Sequence, residues 1–175
     1  FYRPGYPDLA LSFTHEVAHG HVVLTLEQKQ IDADAGIPAF VFDAEIRWRA
    51  NGEWHTQPLH VEHARHTFVL PMPHAPELIV FDPDGRLLHK LAFNPGDDLL
   101  RRQLVEGPTV LARIHAAREL AASGRRPNIA AIVDAYGAEP HWGVRCVMAE
   151  ALAKCNSAAA VAGLAALITV ERDPL

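Results

Sequence analysis

Thr14-His15-Glu16-Val17-Ala18-His19-Gly20-His21 is the stretch on which the reading of the first half of the chain depends. It contains His-Glu-x-x-His. On a helix that spacing stacks two imidazoles on one face, where they bind a single zinc ion while the glutamate serves as general base. The flanks do not continue a helix. Before the motif, Leu9, Leu11 and Phe13 alternate with Ala10, Ser12 and Thr14. After it, Val22, Leu24 and Leu26 alternate with Val23, Thr25 and Glu27. A period of two marks half-buried strands. Both flanks are satisfied by a β-hairpin with strands over 8–15 and 21–28, closed by His19-Gly20, with Gly20 in a turn conformation. On an extended strand, positions i and i+4 stand about 13 Å apart, too far to share one ion.

The same alternation continues outward. Residues 39–49 place Phe40, Phe42, Ala44, Ile46 and Trp48 on one face, and Asn51-Gly52 is a two-residue hairpin turn leading into 54–61. A strand over 67–70 ends at Pro71. Another over 78–81 meets the turn Asp82-Pro83-Asp84-Gly85, and 86–93 completes the run. Short strands with frequent turns predict a seven-stranded antiparallel β-sandwich over residues 1–93. Trp48 and Trp54, on either side of the Asn51-Gly52 turn, are expected to form a cross-strand aromatic pair.

After Asn94-Pro95-Gly96 the period changes to that of helices. Residues 97–105 read as a connecting helix within a linker over 94–107, with Asp97 and Asp98 suited to its first turn. From residue 108 a repeat appears at an offset of thirty-two residues. Arg113 maps onto Arg145, Ala117 onto Ala149, Leu120 onto Leu152, Ile129 onto Val161 and Ile132 onto Leu164. Each unit is a helix pair, 109–122 with 127–136 and 141–154 with 158–169. Pro127 suits a helix start, and Gly124 and Gly137 suit helix ends. Ile129, Ile132, Val133 and Tyr136 form the apolar stripe of a packed helix. The expectation over 108–175 is a HEAT-like α-solenoid of about two helix pairs. Two pairs are few, so they are expected to lean on the sandwich and on further repeats beyond them. The opening Phe1-Tyr2-Arg3-Pro4 and the close on Asp173-Pro174-Leu175 read as a fragment of a larger protein.

Composition narrows the function classes. The chain has 175 residues, 49% of them hydrophobic and 21% charged, with a formal net charge of −5. The acidic balance argues against nucleic acid as a partner. No apolar run approaches the ~18–20 residues that span a bilayer, so no membrane partner is expected. Cys146 and Cys155 form no Cys-x-x-Cys and no disulfide framework, as suits reduced thiols in the cytoplasm.

Each candidate site meets a structural objection. Zinc peptidases built on His-Glu-x-x-His take a third ligand nineteen residues after the second histidine (gluzincins) or six (metzincins); here those positions are Pro38 and Thr25. His60, His63 and His66, with Glu62, form a second cluster. On one continuous strand, however, His60 and His66 would stand about 20 Å apart, with His63 on the opposite face. Arg101-Arg102 and Arg125-Arg126 read as a solvated basic edge. There is no Gly-rich phosphate loop, and no Ser-His-Asp order. Accordingly, no residue is assigned a catalytic, cofactor-binding or metal role.

Gly5-Tyr6-Pro7-Asp8-Leu9-Ala10-Leu11, followed by a short hairpin and then Leu24-Thr25-Leu26-Glu27-Gln28-Lys29-Gln30, resembles the junction after the catalytic domain in the aminopeptidase N family of zinc metallopeptidases. Trp142-Gly143-Val144-Arg145 resembles helices of that family's solenoid and of a related scaffold subunit. The resemblance implies a small β-sandwich followed by HEAT-like helices, lying downstream of a zinc site that this chain does not contain. It implies a parent that uses one zinc ion to remove N-terminal residues from peptides. The parent's own catalytic domain and its peptide substrates would then be the partners, and no cofactor is expected in this segment. The alternative is a HEAT-bearing scaffold that binds proteins without catalysis.

Overall fold

The computed structural model describes residues 5–171; the first four and last four residues, which carry part of the fragment reading, lie outside them. The chain divides into two compact units, Phe1–Pro95 and Gly96–Leu175.

Among its described residues the first unit holds seven strands: β1 (Asp8–Glu16), β2 (His21–Gln28), β3 (Phe42–Ala50), β4 (Glu53–Val61), β5 (Arg65–Pro71), β6 (Leu78–Phe81) and β7 (Lys90–Phe93). They form two sheets, one ordered β5-β2-β1-β7 and the other β4-β3-β6. Alternation along β2 buries Val22, Leu24 and Leu26 fully, each worth ~1.5–3 kcal/mol on burial. In the second sheet Ile46, Leu59 and Val61 are buried, together with all four residues of β6.

Three details depart from the sequence reading. The strands are not all antiparallel, because β7 runs parallel to β1, pairing Asp8 with Lys90 through Leu11 with Phe93. Parallel neighbours need a long connection, and the excursion through the second sheet supplies it. Lys90 Nζ sits 2.8 Å from Asp8 Oδ2, and this hydrogen bond holds the lysine pKa above its ordinary value. Next, β7 starts only at Lys90. The buried Asp82 carboxylate accepts the backbone N–H groups of Arg86 and Leu87, each at 3.0 Å, so those groups serve a turn rather than a ladder. Finally, Trp48 and Trp54 do not pair. The Asn51-Gly52 turn sets Ala50 opposite Glu53, which puts His55 opposite Trp48 and Arg49 opposite Trp54. Trp48 stacks on His55 at 5.4 Å, and the Arg49 guanidinium lies 5.8 Å from the Trp54 ring.

Among its described residues the second unit holds five helices: α1 (Asp97–Glu106), α2 (Val110–Ala122), α3 (Arg126–Tyr136), α4 (Trp142–Lys154) and α5 (Ala158–Val170). Side chains cap three of them. Thr109 accepts from Ala112 N–H, His141 Nδ1 from Gly143 N–H, and Ser157 from Ala160 N–H. Pro127 stands in the first turn of α3. One core joins the helices, with Leu100 and Leu104 of α1, Leu120 of α2, Ile129 and Ile132 of α3, Met148 and Leu152 of α4, and Leu167 of α5. The helix expected as a connector thus contributes to that core. Among the described residues no helix is long and apolar enough to cross a membrane.

Candidate functional site

The His-Glu-x-x-His letters fall across a boundary. His15 and Glu16 end β1, Val17–His19 form a single 3₁₀ turn, and His21 begins β2. Gly20 has φ of 62°, the left-handed conformation that closes the hairpin, and its carbonyl accepts Met72 N–H at 2.9 Å. His15 Nε2 donates to the Met72 carbonyl at 3.0 Å. Glu16 Oε2 lies 3.3 Å from His19 Nδ1 and 3.4 Å from His21 Nε2. In the zinc motif both histidines face one ion. Here His15 faces a carbonyl on the β5 side of the sheet, and His19 and His21 face the glutamate itself. Among the described residues no group of three or more His, Cys, Asp or Glu is placed to hold a metal ion.

The second histidine group is more compact than a continuous strand would allow. Because β4 ends at Val61 and β5 begins at Arg65, the chain bends, and His66 Nδ1 donates to the His60 carbonyl at 3.1 Å. The His66 ring also meets His63 edge to face at 5.1 Å. His60 is clasped between two carboxylates, with Nδ1 at 2.6 Å from Asp43 and Nε2 at 2.9 Å from Glu62. Hydrogen bonding first to Asp43 and then to Glu62 raises its pKa above the ordinary imidazole value. A raised pKa means that the stabilisation from this clasp is complete below the ordinary imidazole range. It is lost as pH climbs through the raised value. An NMR titration of the His60 ring is expected to give a pKa above the ordinary imidazole value, and Asp43→Asn is expected to lower it. A His60 pKa unmoved by Asp43→Asn would refute the clasp.

Two arginines of the basic edge are paired. Arg125 Nη1 donates to Asp97 Oδ2 at 2.7 Å, and Arg101 donates to the buried Asn128 at 2.6 Å and also pairs with Asp98. The amide of Asn128 donates to Asp97 and Ser123, each at 2.9 Å, so every polar atom of this buried side chain is used.

The sequence reading missed a pair of acids. Arg113 grips Glu139 with Nε to Oε2 at 2.8 Å and Nη2 to Oε1 at 3.2 Å, while its Nη1 donates to the Gly107 carbonyl at 3.1 Å. Arg145 repeats the arrangement, with Nε 3.3 Å from Glu171 Oε2 and Nη1 3.1 Å from the Glu139 carbonyl. Both arginines, both acids and both carbonyls are related by the same offset of thirty-two residues. Applying that offset to the acids as well as to the arginines would have found them.

No family model matches the chain, and no curated protein matches it. Among solved structures it is similar to a crystal structure of Legionella pneumophila aminopeptidase A in complex with aspartic acid. The identity is 14% and the TM-score 0.50, over 96% of this chain and 19% of that one. At that identity the likeness is one of fold, and the chain spans about a fifth of the length of the solved protein.

Proposed function

We propose that this chain is a non-catalytic portion of a zinc-dependent aminopeptidase, placed after the catalytic domain. The observation that carries the reading is that nearly the whole chain follows the fold of one fifth of a much longer aminopeptidase. The hairpin supports it, since the sequence's one His-Glu-x-x-His is split between a strand and a turn. In this reading residues 1–93 form a β-sandwich that braces the catalytic domain, 94–107 link the two parts, and 108–175 form a HEAT-like solenoid that encloses the active-site cavity. Zinc and the peptide-cleaving residues belong to the catalytic domain, and the protein works in the cytoplasm.

The test uses the chain purified without a histidine tag. It is expected to hydrolyse no amino-acyl p-nitroanilide, with or without added zinc, and to retain no stoichiometric metal. Hydrolysis abolished by Glu16→Gln would make the hairpin tip catalytic and overturn the reading. In the longer parent polypeptide, a zinc content near one and aminopeptidase activity are expected. A zinc-free, inactive parent would favour a protein-binding scaffold instead.

A further inference from the structure

We propose that His63 and His66, at the corner where the chain passes from β4 to β5, form a two-imidazole site for a divalent transition-metal ion, Cu(II) ahead of Ni(II). On a continuous strand the two rings would lie on opposite faces. The bend over residues 62–64 instead sets their centres 5.1 Å apart. With imidazole nitrogens about 2.0–2.1 Å from a bound ion, two rings on one ion have centres about 5 Å apart. The bend is anchored from within the fold. Gln28 is 4% exposed; its backbone N–H donates to the Ala64 carbonyl at 2.8 Å, and its amide donates to the His63 carbonyl at 3.1 Å. The His63 backbone is thereby held while its side chain stays exposed.

The two rings are in the chemical states that a ligand pair needs. A carbonyl can only accept, so the 3.1 Å bond from His66 Nδ1 to the His60 carbonyl puts the proton on Nδ1. The neutral ring then keeps its lone pair on Nε2. Metal-binding histidines are oriented by this kind of bond from the other ring nitrogen to a carbonyl. Phe68 packs against the same ring, with centres 5.4 Å apart, and β5 is an edge strand of its sheet. Among the described residues the His63 ring meets His66 and makes no hydrogen bond, so rotation about χ2 brings a nitrogen to the ion. The neighbouring candidates are engaged. His60 has both ring nitrogens on carboxylates, and His19 and His21 both turn to Glu16. Two imidazoles fall short of the three or more protein ligands of a zinc centre, so water fills the remaining positions and the ion exchanges readily. Nitrogen donors with water in a tetragonal shell suit Cu(II), at which the affinity order of the divalent ions peaks. Such an ion is lost on purification, and the site is separate from the zinc of the proposed catalytic domain.

The test adds Cu(II) alone to the untagged full chain in a non-coordinating buffer. Paramagnetic broadening of assigned NMR signals locates the ion, and calorimetry gives the affinity. Below one equivalent, the His63 and His66 ring signals and the amides of residues 60–66 are expected to broaden before those of His19, His21 and His55. His63→Ala is expected to weaken binding at least about tenfold with the fold intact, since the ring is exposed and forms no hydrogen bond. His66→Gln, which keeps a donor for the His60 carbonyl, is expected to do the same. Ni(II) is expected to bind at the same residues more weakly. Cu(II) affinity that survives either substitution would overturn the proposal, because a lone imidazole would then account for the binding. So would broadening that begins at His19 and His21, or Ni(II) binding more tightly than Cu(II).

Discussion

Arg113→Met is expected to lower the stability of the helical unit by about 3–5 kcal/mol, read as a fall in the urea midpoint at unchanged slope. The Glu139 side chain is 4% exposed, and its two oxygens are held by Arg113 in a forked pair. Without the guanidinium, a buried carboxylate keeps, among the described residues, only the N–H of His141, at 2.8 Å, as a donor. The cost comes from stranding that charge, more than from the attraction lost. The double variant Arg113→Met with Glu139→Leu is therefore expected to recover most of the loss, since it removes the charge along with its partner. Arg145→Met should cost less, about 1–3 kcal/mol, because Glu171 is 29% exposed and also takes the Tyr136 hydroxyl. That phenol is pushed up to about 12, by burial first and then by its bond to Glu171. If Arg145→Met proved the costlier single change, or the double variant no better than Arg113→Met alone, burial of Glu139 would not be the cause.

What could be read from the letters was local, and what could not was relational. Alternation around His15–His19 placed β1 and β2 nearly to the residue, because a half-buried strand must alternate whatever motif lies at its end. The direction of β7 was not readable, since a period of two is the same in either direction. The partner of Trp48 was readable in principle. A two-residue turn at Asn51-Gly52 leaves one register, and that register opposes His55, whereas pairing by residue type had suggested Trp54. The bend between β4 and β5, which brings the His66 ring to the His60 carbonyl, depends on where a strand stops, the least determined feature of any sequence pattern. Glu139 is the instructive omission. It follows α3 in what reads as a polar loop, yet it is among the most buried acids of the described residues, and its equivalent thirty-two residues on, Glu171, is what marks it.

Asp82 brings these limits together and yields the second large effect. Asp82-Pro83-Asp84-Gly85 reads as a turn, but the letters do not show that the first aspartate is buried or that its backbone is left-handed, with φ of 42°. Its oxygens accept Arg86 N–H and Leu87 N–H, its own N–H donates to the Glu45 carbonyl at 2.7 Å, and its carbonyl accepts from Gly85 at 3.0 Å. The chain is thereby turned from β6 towards β7 and the parallel pairing with β1. Asp82→Val is expected to cost about 3–5 kcal/mol. The left-handed backbone alone is worth about 1–2 kcal/mol against a side chain branched at Cβ, and each stranded N–H adds about 1 kcal/mol or more. Asp82→Asn tolerates the backbone and keeps one acceptor, so about 1 kcal/mol is expected. Asp82→Gly relieves the backbone but strands both donors, and should fall between the two. The ranking Asn, Gly, Val separates strain from lost acceptors. If Gly matched Asn, the acceptors would be idle; if Gly matched Val, the backbone conformation would carry no cost. Hydrogen exchange supplies the structural readout, since the β7 amides should lose protection in Asp82→Val before those in the centre of β2 do.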